Sequence, residues 1–283
     1  MRCGREEAIA KSYASLYGLA GDGICDVILD GGMPCDIIYD FQLKNPERST
    51  VIVPDNIYHL SEEIKQDLRQ FTKKGGNLIV CGIKACKLLS DMVEAKIKDF
   101  NSFTVYAESN GSMFGTHNAV TFAKRGAVDV IDCYYDELSS TGPKTSLVVS
   151  NSYGDGKVFF VGFNIMDEYT QHRYFELPEI MRRILFYADC KQNAYLEEGA
   201  PRVEIVPAEK DGKLLVNLIN TAESGYDVNG SAAGIILPVY ELVIAVKCDQ
   251  KPKKVMLEPE HAEAEYTHVK VPELQIHTII TVE

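Results

Sequence analysis

Cys81 lies in GGNLIVCGIKAC, residues 75–86, at the end of a short apolar run and ahead of a candidate helix. A thiol on a strand-to-helix turn stands where a nucleophile could stand. A working nucleophile also needs a base within reach and donors for an oxyanion. Neither is evident near Cys81, so it is read first as a small buried residue and kept as the one candidate nucleophile. A second group gathers beyond predicted strand ends, where open α/β sheets take their ligands. Asp55, Asn56 and His59 follow one apolar run; Asn164, Asp167, His172 and Arg173 follow another. Together they could form a polar pocket for a sugar or for the edge of a neighbouring catalytic domain. Their plainer role is loop polarity and helix capping, with Asp167 as an N-cap. Glycoside hydrolysis needs a pair of carboxylates flanking the bond. The acidic doublets Glu62-Glu63 and Glu197-Glu198 fall instead on a helix start and a linker, as solvated charge. His261, His268 and His277 share no metal-binding spacing. The eight cysteines are scattered, without a CxxC or a Cys/His cluster. We therefore expect no metal, no cofactor, and reduced thiols in a cytoplasmic protein.

These residues need elements to position them. Ile9, Tyr13, Leu16 and Tyr17 recur at helical spacing and predict a helix over 5–19. STVIVPD (49–55) reads as a strand buried on both faces and stopped by Pro54. Ser61 is a helix N-cap, with Glu62 and Glu63 in the first turn where the dipole favours them. Ile64, Leu68 and Phe71 supply the buried stripe, Lys73 and Lys74 the C-terminal turn, and Gly75 the C′ position. NLIVCG (77–82) is the next strand, so a parallel βαβ unit is expected. FNSFTVYAES, NAVTFA and VDVIDCYY read as short strands. TSLVVSN and KVFFVGFN read as a hairpin turning at Asp155-Gly156. Pro178 opens a helix that buries Ile180, Met181, Ile184, Leu185 and Ala188. EEGAP (197–201) reads as a linker. Beyond it, short strands punctuated by turn residues predict a small β-sandwich. In its last run Leu274, Ile276, Thr278, Ile280 and Val282 alternate with polar residues as one strand. The predicted organisation is an α/β domain over 1–195 and an all-β domain over 202–283.

The stretch VIVPDNIYHLSEEIKQDLRQFTKKGGNLIVCG resembles the central βαβ of a class I glutamine-amidotransferase-like domain. That domain follows the catalytic barrel in many bacterial glycoside hydrolases; its best-known form is the β-galactosidase trimerisation domain. YGDGKVFFVGFNIMDEYTQHRYFELPEIMRRIL resembles its closing strand and helix. LLVNLIN, LPVYELVIAV, KPKKVMLEPE and VKVPELQIHTIITVE resemble the β-sandwich that ends such enzymes. The resemblance implies a flavodoxin-like parallel sheet. It also implies a non-catalytic accessory or oligomerisation region in bacterial carbohydrate metabolism, lacking the barrel, with a catalytic glycosidase barrel as partner and a homo-oligomer, such as a trimer, as its state. Carbohydrate is a candidate ligand. Two departures stand out. The related pattern sets its cysteine in a G-x-C-x-G elbow with a later His-x-Glu. Here Ile79-Val80-Cys81-Gly82-Ile83 has one glycine, and His172-Arg173-Tyr174-Phe175-Glu176 has the wrong spacing. The family also opens on a strand, whereas residues 5–19 predict a helix.

Charge and composition narrow the remaining classes. Lys+Arg total 29 against 41 Asp+Glu, a net charge of −12, with no basic cluster. Nucleic acid and anionic membrane surfaces both need concentrated positive charge and are not expected as partners. No apolar stretch reaches the roughly 20 residues of a membrane helix. The alternatives to an accessory region are a small amidase-like hydrolase using Cys81 and a free-standing sugar-binding protein. The absence of tryptophan weighs against the latter.

Overall fold

The computed structural model describes residues 7–11, 23–44, 49–55, 57, 59–99, 104–109, 112–116, 119–135, 144–190, 192–199, 203–221, 236–248, 251–259 and 261–283. In chain order the first elements are β1 (Glu7–Lys11), α1 (Gly23–Asp30), β2 (Asp36–Tyr39), β3 (Thr50–Val53), α2 (Glu62–Lys73), β4 (Asn77–Cys81) and α3 (Ile83–Leu88). Then come β5 (Ala95–Asp99), β6 (Val105–Ser109), β7 (Ser112–Thr116), β8 (Val120–Lys124), β9 (Val128–Tyr135), β10 (Lys144–Tyr153), β11 (Gly156–Val161), α4 (Ile165–His172) and α5 (Glu176–Tyr187). The last are β12 (Ala194–Glu198), β13 (Val203–Lys210), β14 (Lys213–Asn220), β15 (Val239–Val246), β16 (Val255–Glu258), β17 (Ala262–Glu263), β18 (His268–Leu274) and β19 (His277–Val282). Two compact units result. One takes the described residues of 7–27 and 36–190, the other those of 28–35 and 191–283.

The first unit is mixed α/β. Its parallel strands lie in the order β2-β1-β3-β4-β11. The sheet continues antiparallel through β10, β9, β6 and β7, with β8 pairing β10 and β5. Every residue of β3 is buried, and Leu78 to Cys81 of β4 are at 0% exposure, as expected of strands covered on both faces. Val51, Val53, Leu68, Leu78, Val80 and Phe160 share one core.

Helix α2 forms as its local chemistry dictates. The Ser61 hydroxyl accepts from the Ile64 amide at 3.2 Å. At the other end the Gly75 and Gly76 amides donate to the carbonyls of Thr72 (3.0 Å) and Phe71 (3.1 Å), a Schellman pair with Gly75 at φ +102°. Gly76 lies against the Phe71 ring, which a Cβ there would strike. The β10–β11 hairpin meets this helix end. Its turn is Gly154-Asp155, with Tyr153 opposite Gly156, one residue earlier than the sequence suggests. The positive φ of Gly154 (+67°) suits the first turn position, and Gly156 is needed elsewhere. A Cβ on Gly156 would meet the Gly76 carbonyl and stand 2.5 Å from that of Thr72. The Gly75-Gly76 and Gly154-Asp155-Gly156 motifs thus pack on one another.

Other expectations change. Residues 7–11 are a strand, not part of a helix: β1 is paired in parallel on both sides, to β2 and β3. Two ladders of hydrogen bonds outweigh a five-residue share of helical periodicity. A strand therefore precedes the first described helix, and the departure noted above disappears. Residues 12–22 lie outside the described set. Helix α4 and strands β5 and β7 were not foreseen. Helix α5 buries Ile180, Met181, Ile184, Leu185 and Ala188 as predicted.

Among the described residues β2 ends the sheet, and its chain covers its own edge. The Ile37 amide donates to Asp36 Oδ1 (2.9 Å) and the Tyr39 amide to Gln42 Oε1 (2.8 Å).

The second unit is β-rich and antiparallel. One sheet runs β12-β15-β18 and the other β13-β14-β19-β16-β17. They share a core that includes Leu196, Val216, Ile244, Leu257, Val269 and Ile280. Glu197 and Glu198, read above as linker, close β12, because the strand pairs with β15. The final alternating run is two strands in different sheets. Leu274 ends β18, and Ile276, in the turn, is 64% exposed. Asn220 holds that turn: its amide nitrogen Nδ2 donates to the carbonyls of Leu237 (2.8 Å) and Gln275 (2.6 Å).

Candidate functional site

The carboxyl ends of β3, β4 and β11 emerge on the same side of the sheet, since all three are parallel. Pro54 stops β3 and places Asp55 just beyond it. Gly82 ends β4 at φ +86°, and its amide donates to the Val161 carbonyl of β11 at 2.9 Å. A Cβ on Gly82 would collide with that of Asp55 and stand 2.9 Å from Asn164 Oδ1. Glycine therefore lets three strand ends converge on one point.

Asn164 is the N-cap residue of α4 and links its neighbours. Its Oδ1 accepts from the Ile83 amide at 3.3 Å, and its Nδ2 donates to Asp167 Oδ2 at 3.2 Å. The capping oxygen for α4 comes from elsewhere in the chain. Asp55 Oδ2 accepts from the Met166 amide at 3.0 Å. Asp167, expected as the cap, sits three residues into the helix. Asp55 is 4% exposed, and among the described residues its Oδ1 has no hydrogen-bond partner. Burial, followed by the charge of Asp167, pushes its carboxyl up to about 7, against the opposing pull of the helix amides.

Cys81 adjoins this cluster and is fully buried. Burial first, then the Asp55 carboxylate and Cys86, push its thiol well above the ordinary range. It is held as a thiol at neutral pH, whereas a nucleophilic cysteine needs the thiolate. Cys86 is buried too, with Sγ 3.4 Å from the Val161 carbonyl oxygen.

The other candidates go elsewhere. His172 and Arg173 are at the far end of α4, about 10 Å along the axis at ~1.5 Å per residue. His172 stacks on Tyr174 (centroids 5.1 Å apart) and faces Glu168 at 3.7 Å. Arg173 bonds Asp26 Oδ2 of α1 at 2.9 Å and lies over the Tyr169 ring. His59 is exposed. Asn56 lies outside the described residues. The structure therefore joins Asp55, Cys81, Asn164 and Asp167, and sets His172 and Arg173 apart. Gly82 is the member that sequence reasoning missed; a glycine directly after a buried strand was the available signal.

A separate half-open groove of about 540 Å³ in the β-rich unit is lined by Leu257, Val271, Pro272, Glu273, Ile276 and His277 among others, without Tyr or Phe. Among the described residues no cluster of His, Cys, Asp and Glu could hold a metal, and no helix is long and apolar enough to cross a membrane.

The whole chain can be compared with solved structures. It superposes on alpha-L-fucosidase isoenzyme 2 from Paenibacillus thiaminolyticus with a TM-score of 0.73 at 14% identity, covering 99% of this chain and 48% of that one. The chain shares its fold with glycoside hydrolases. A β-galactosidase from Bacillus circulans sp. alkalophilus gives a TM-score of 0.64 at 11% identity, over 100% of this chain and 42% of that one. The β-galactosidase of Rahnella sp. R3 gives 0.59 at 14% identity, over 99% and 41%. The chain spans less than half the length of each. At these identities the likeness is one of fold alone. No protein-family profile and no curated protein matches the sequence.

Proposed function

We propose that this chain is a non-catalytic accessory and oligomerisation region of a glycoside hydrolase in bacterial carbohydrate metabolism, of the β-galactosidase trimerisation type. One observation carries the reading. A fold shared with a fucosidase over 99% of this chain contains, among the described residues, five parallel strands in a mixed sheet rather than an eight-stranded parallel barrel. A (β/α)8 barrel takes about 250 residues, and catalysis would rest there. The parallel order β2-β1-β3-β4-β11 corresponds to 2-1-3-4-5, which supports a flavodoxin-like, glutamine-amidotransferase-like scaffold. The shared core of the two antiparallel sheets supports a C-terminal β-sandwich. In this reading the chain packs against a catalytic barrel and assembles with copies of itself, a trimer being the state the resemblance suggests. The seven described cysteines are free thiols, which suits a cytoplasmic setting.

The test is to assay the purified chain on aryl β-galactosides and aryl α-fucosides while measuring its mass by light scattering. The expected result is no turnover and a mass that is a multiple of 31.5 kDa. Turnover of either glycoside overturns the non-catalytic reading, and a monomer at micromolar concentration overturns the oligomerisation role. The position of Cys81 as the last residue of β4, with Gly82 at positive φ between it and α3, favours an amidase-like hydrolase as the second reading. Its burial and raised thiol weigh against that reading.

A further inference from the structure

The half-open groove of the β-rich unit has no part in the strand-end site, and an exposed apolar patch continues from it. Asn220 ties two turns together. Its Nδ2 donates to the carbonyls of Leu237 and Gln275, and its own amide donates to the Ile276 carbonyl at 2.9 Å. Leu237 is 56% exposed and Ile276 64%. Tyr240, also exposed, pairs across β15 and β18 with Glu273. Ile276 and Glu273 in turn line the groove, whose walls include Leu257 and Val271. Groove and patch are therefore one surface, and an exposed apolar face of this kind marks a site of association.

The polar groups of this surface are mostly acceptors. Glu273 is the one carboxylate among the lining residues, and no Lys or Arg joins it. Among the described residues its carboxylate meets only the Gln275 side-chain amide, Nε2 to Oε1 at 3.3 Å. Asn217 donates through Nδ2 to the Val206 carbonyl, so its Oδ1 is left to accept from His277 Nε2 at 3.2 Å. A neutral His277 ring then offers Nδ1 as an acceptor. Pro259 and Pro272 line the groove without an amide to donate. β18 ends its sheet among the described residues, but Pro272 makes it a poor template for strand addition, so recognition falls to side chains. Arginine fits this set. Its guanidinium is a pure donor that forks onto a carboxylate and stacks on an aromatic face, and its stem packs on apolar surface.

We propose that this groove and patch bind a basic, apolar segment of another polypeptide, with an arginine on Glu273 and aliphatic side chains on Ile276 and Leu237. A second copy of the chain is a poor occupant. A two-fold contact sets the same face against itself. It would bring Glu273 and the exposed Glu241 up to their own copies, in a chain of net charge −12. Binding of such a segment does not depend on the accessory role, since a monomer or an active hydrolase would keep the same surface.

The test is fluorescence anisotropy of a labelled Leu-Arg-Val-Arg-Leu peptide titrated with the intact chain at low and at physiological salt. Saturable binding is expected, weaker at the higher salt, and the same peptide with Glu in place of Arg should not bind. Glu273→Gln should weaken binding about fivefold, the upper range for a partly exposed ion pair, and Ile276→Ser about tenfold. Glu209→Gln removes an exposed acid from β13, outside the groove, and should change nothing. In the unsubstituted chain the peptide should shift the NMR methyl resonance of Ile276. Absence of binding, equal binding of the Glu peptide, equal losses in Glu209→Gln and Glu273→Gln, or binding that leaves the Ile276 methyl unmoved overturns the proposal. So does self-association of the chain that Ile276→Ser abolishes, which assigns the face to a second copy.

Discussion

Gly82 and Asp55 approach so closely that a Cβ on Gly82 would stand 2.7 Å from the Asp55 Cα. Gly82 also holds φ +86°. Gly82→Ala therefore combines a left-handed backbone with a clash in a packed site, together about 3 kcal/mol or more. Urea unfolding should show a midpoint lowered accordingly; an unchanged midpoint would mean that the strand ends do not converge this tightly.

The two glycine motifs that pack together can be separated from an ordinary turn glycine. Gly156→Ala places a methyl against the carbonyls of Gly76 and Thr72, backbone that cannot swing aside, and should cost about 2–3 kcal/mol. Gly212 sits at φ +75° with nothing within 4 Å, so Gly212→Ala should cost only about 1 kcal/mol. Equal losses in the two variants would contradict the packing of the hairpin on α2.

Cys81 should be slow to alkylate. Its sulfur is buried and the thiolate is disfavoured by burial, Asp55 and Cys86. Iodoacetamide at neutral pH, followed by peptide mass mapping, should leave Cys81 intact while the chain is folded and label it only after denaturation. Rapid, selective labelling in the folded chain would revive the hydrolase reading.

The edge of β2 predicts a solubility phenotype. Gln42 accepts the Tyr39 amide, and around it Ile37, Tyr39 and Phe41 are exposed, with the two rings stacked at 5.6 Å. An uncovered edge amide beside apolar side chains invites strand pairing. Gln42→Ala should change stability by about 1 kcal/mol at most, yet raise concentration-dependent self-association in light scattering. Identical scattering for the two proteins would show that the cap is dispensable.

Helix α2 shows how much local chemistry could say in advance. Ser61, the apolar stripe and Gly75-Gly76 act within one or two turns, and the structure has them in those roles. β1 shows the opposite. Residues 7–11 carry apolar spacing that fits a longer helix, and only the flanking strands β2 and β3 make them a strand. Ile276 fits an alternating strand in sequence but sits in a turn held by the distant Asn220. The candidate site divides in the same way. That Asp55, Asn164 and His172 follow strands was legible. That Asp55 caps a helix 111 residues away, while His172 lies at that helix's other end, was not.

The α/β-then-β texture, the parallel β3–α2–β4 unit, its caps and the buried helix face of α5 could all be read from the order of residues. Those features arise from hydrogen bonds and side-chain periodicity between near neighbours, which the order of residues specifies directly. The tertiary structure was needed to make β1 a strand, to pack the glycine motifs on each other, and to bring Asp55, Cys81 and Asp167 to one corner. Those outcomes depend on burial and on charges brought close by chain segments far apart in sequence. For Cys81 the difference is chemical: its position in the sequence suggested a nucleophile, and its surroundings bury it and favour the thiol over the thiolate.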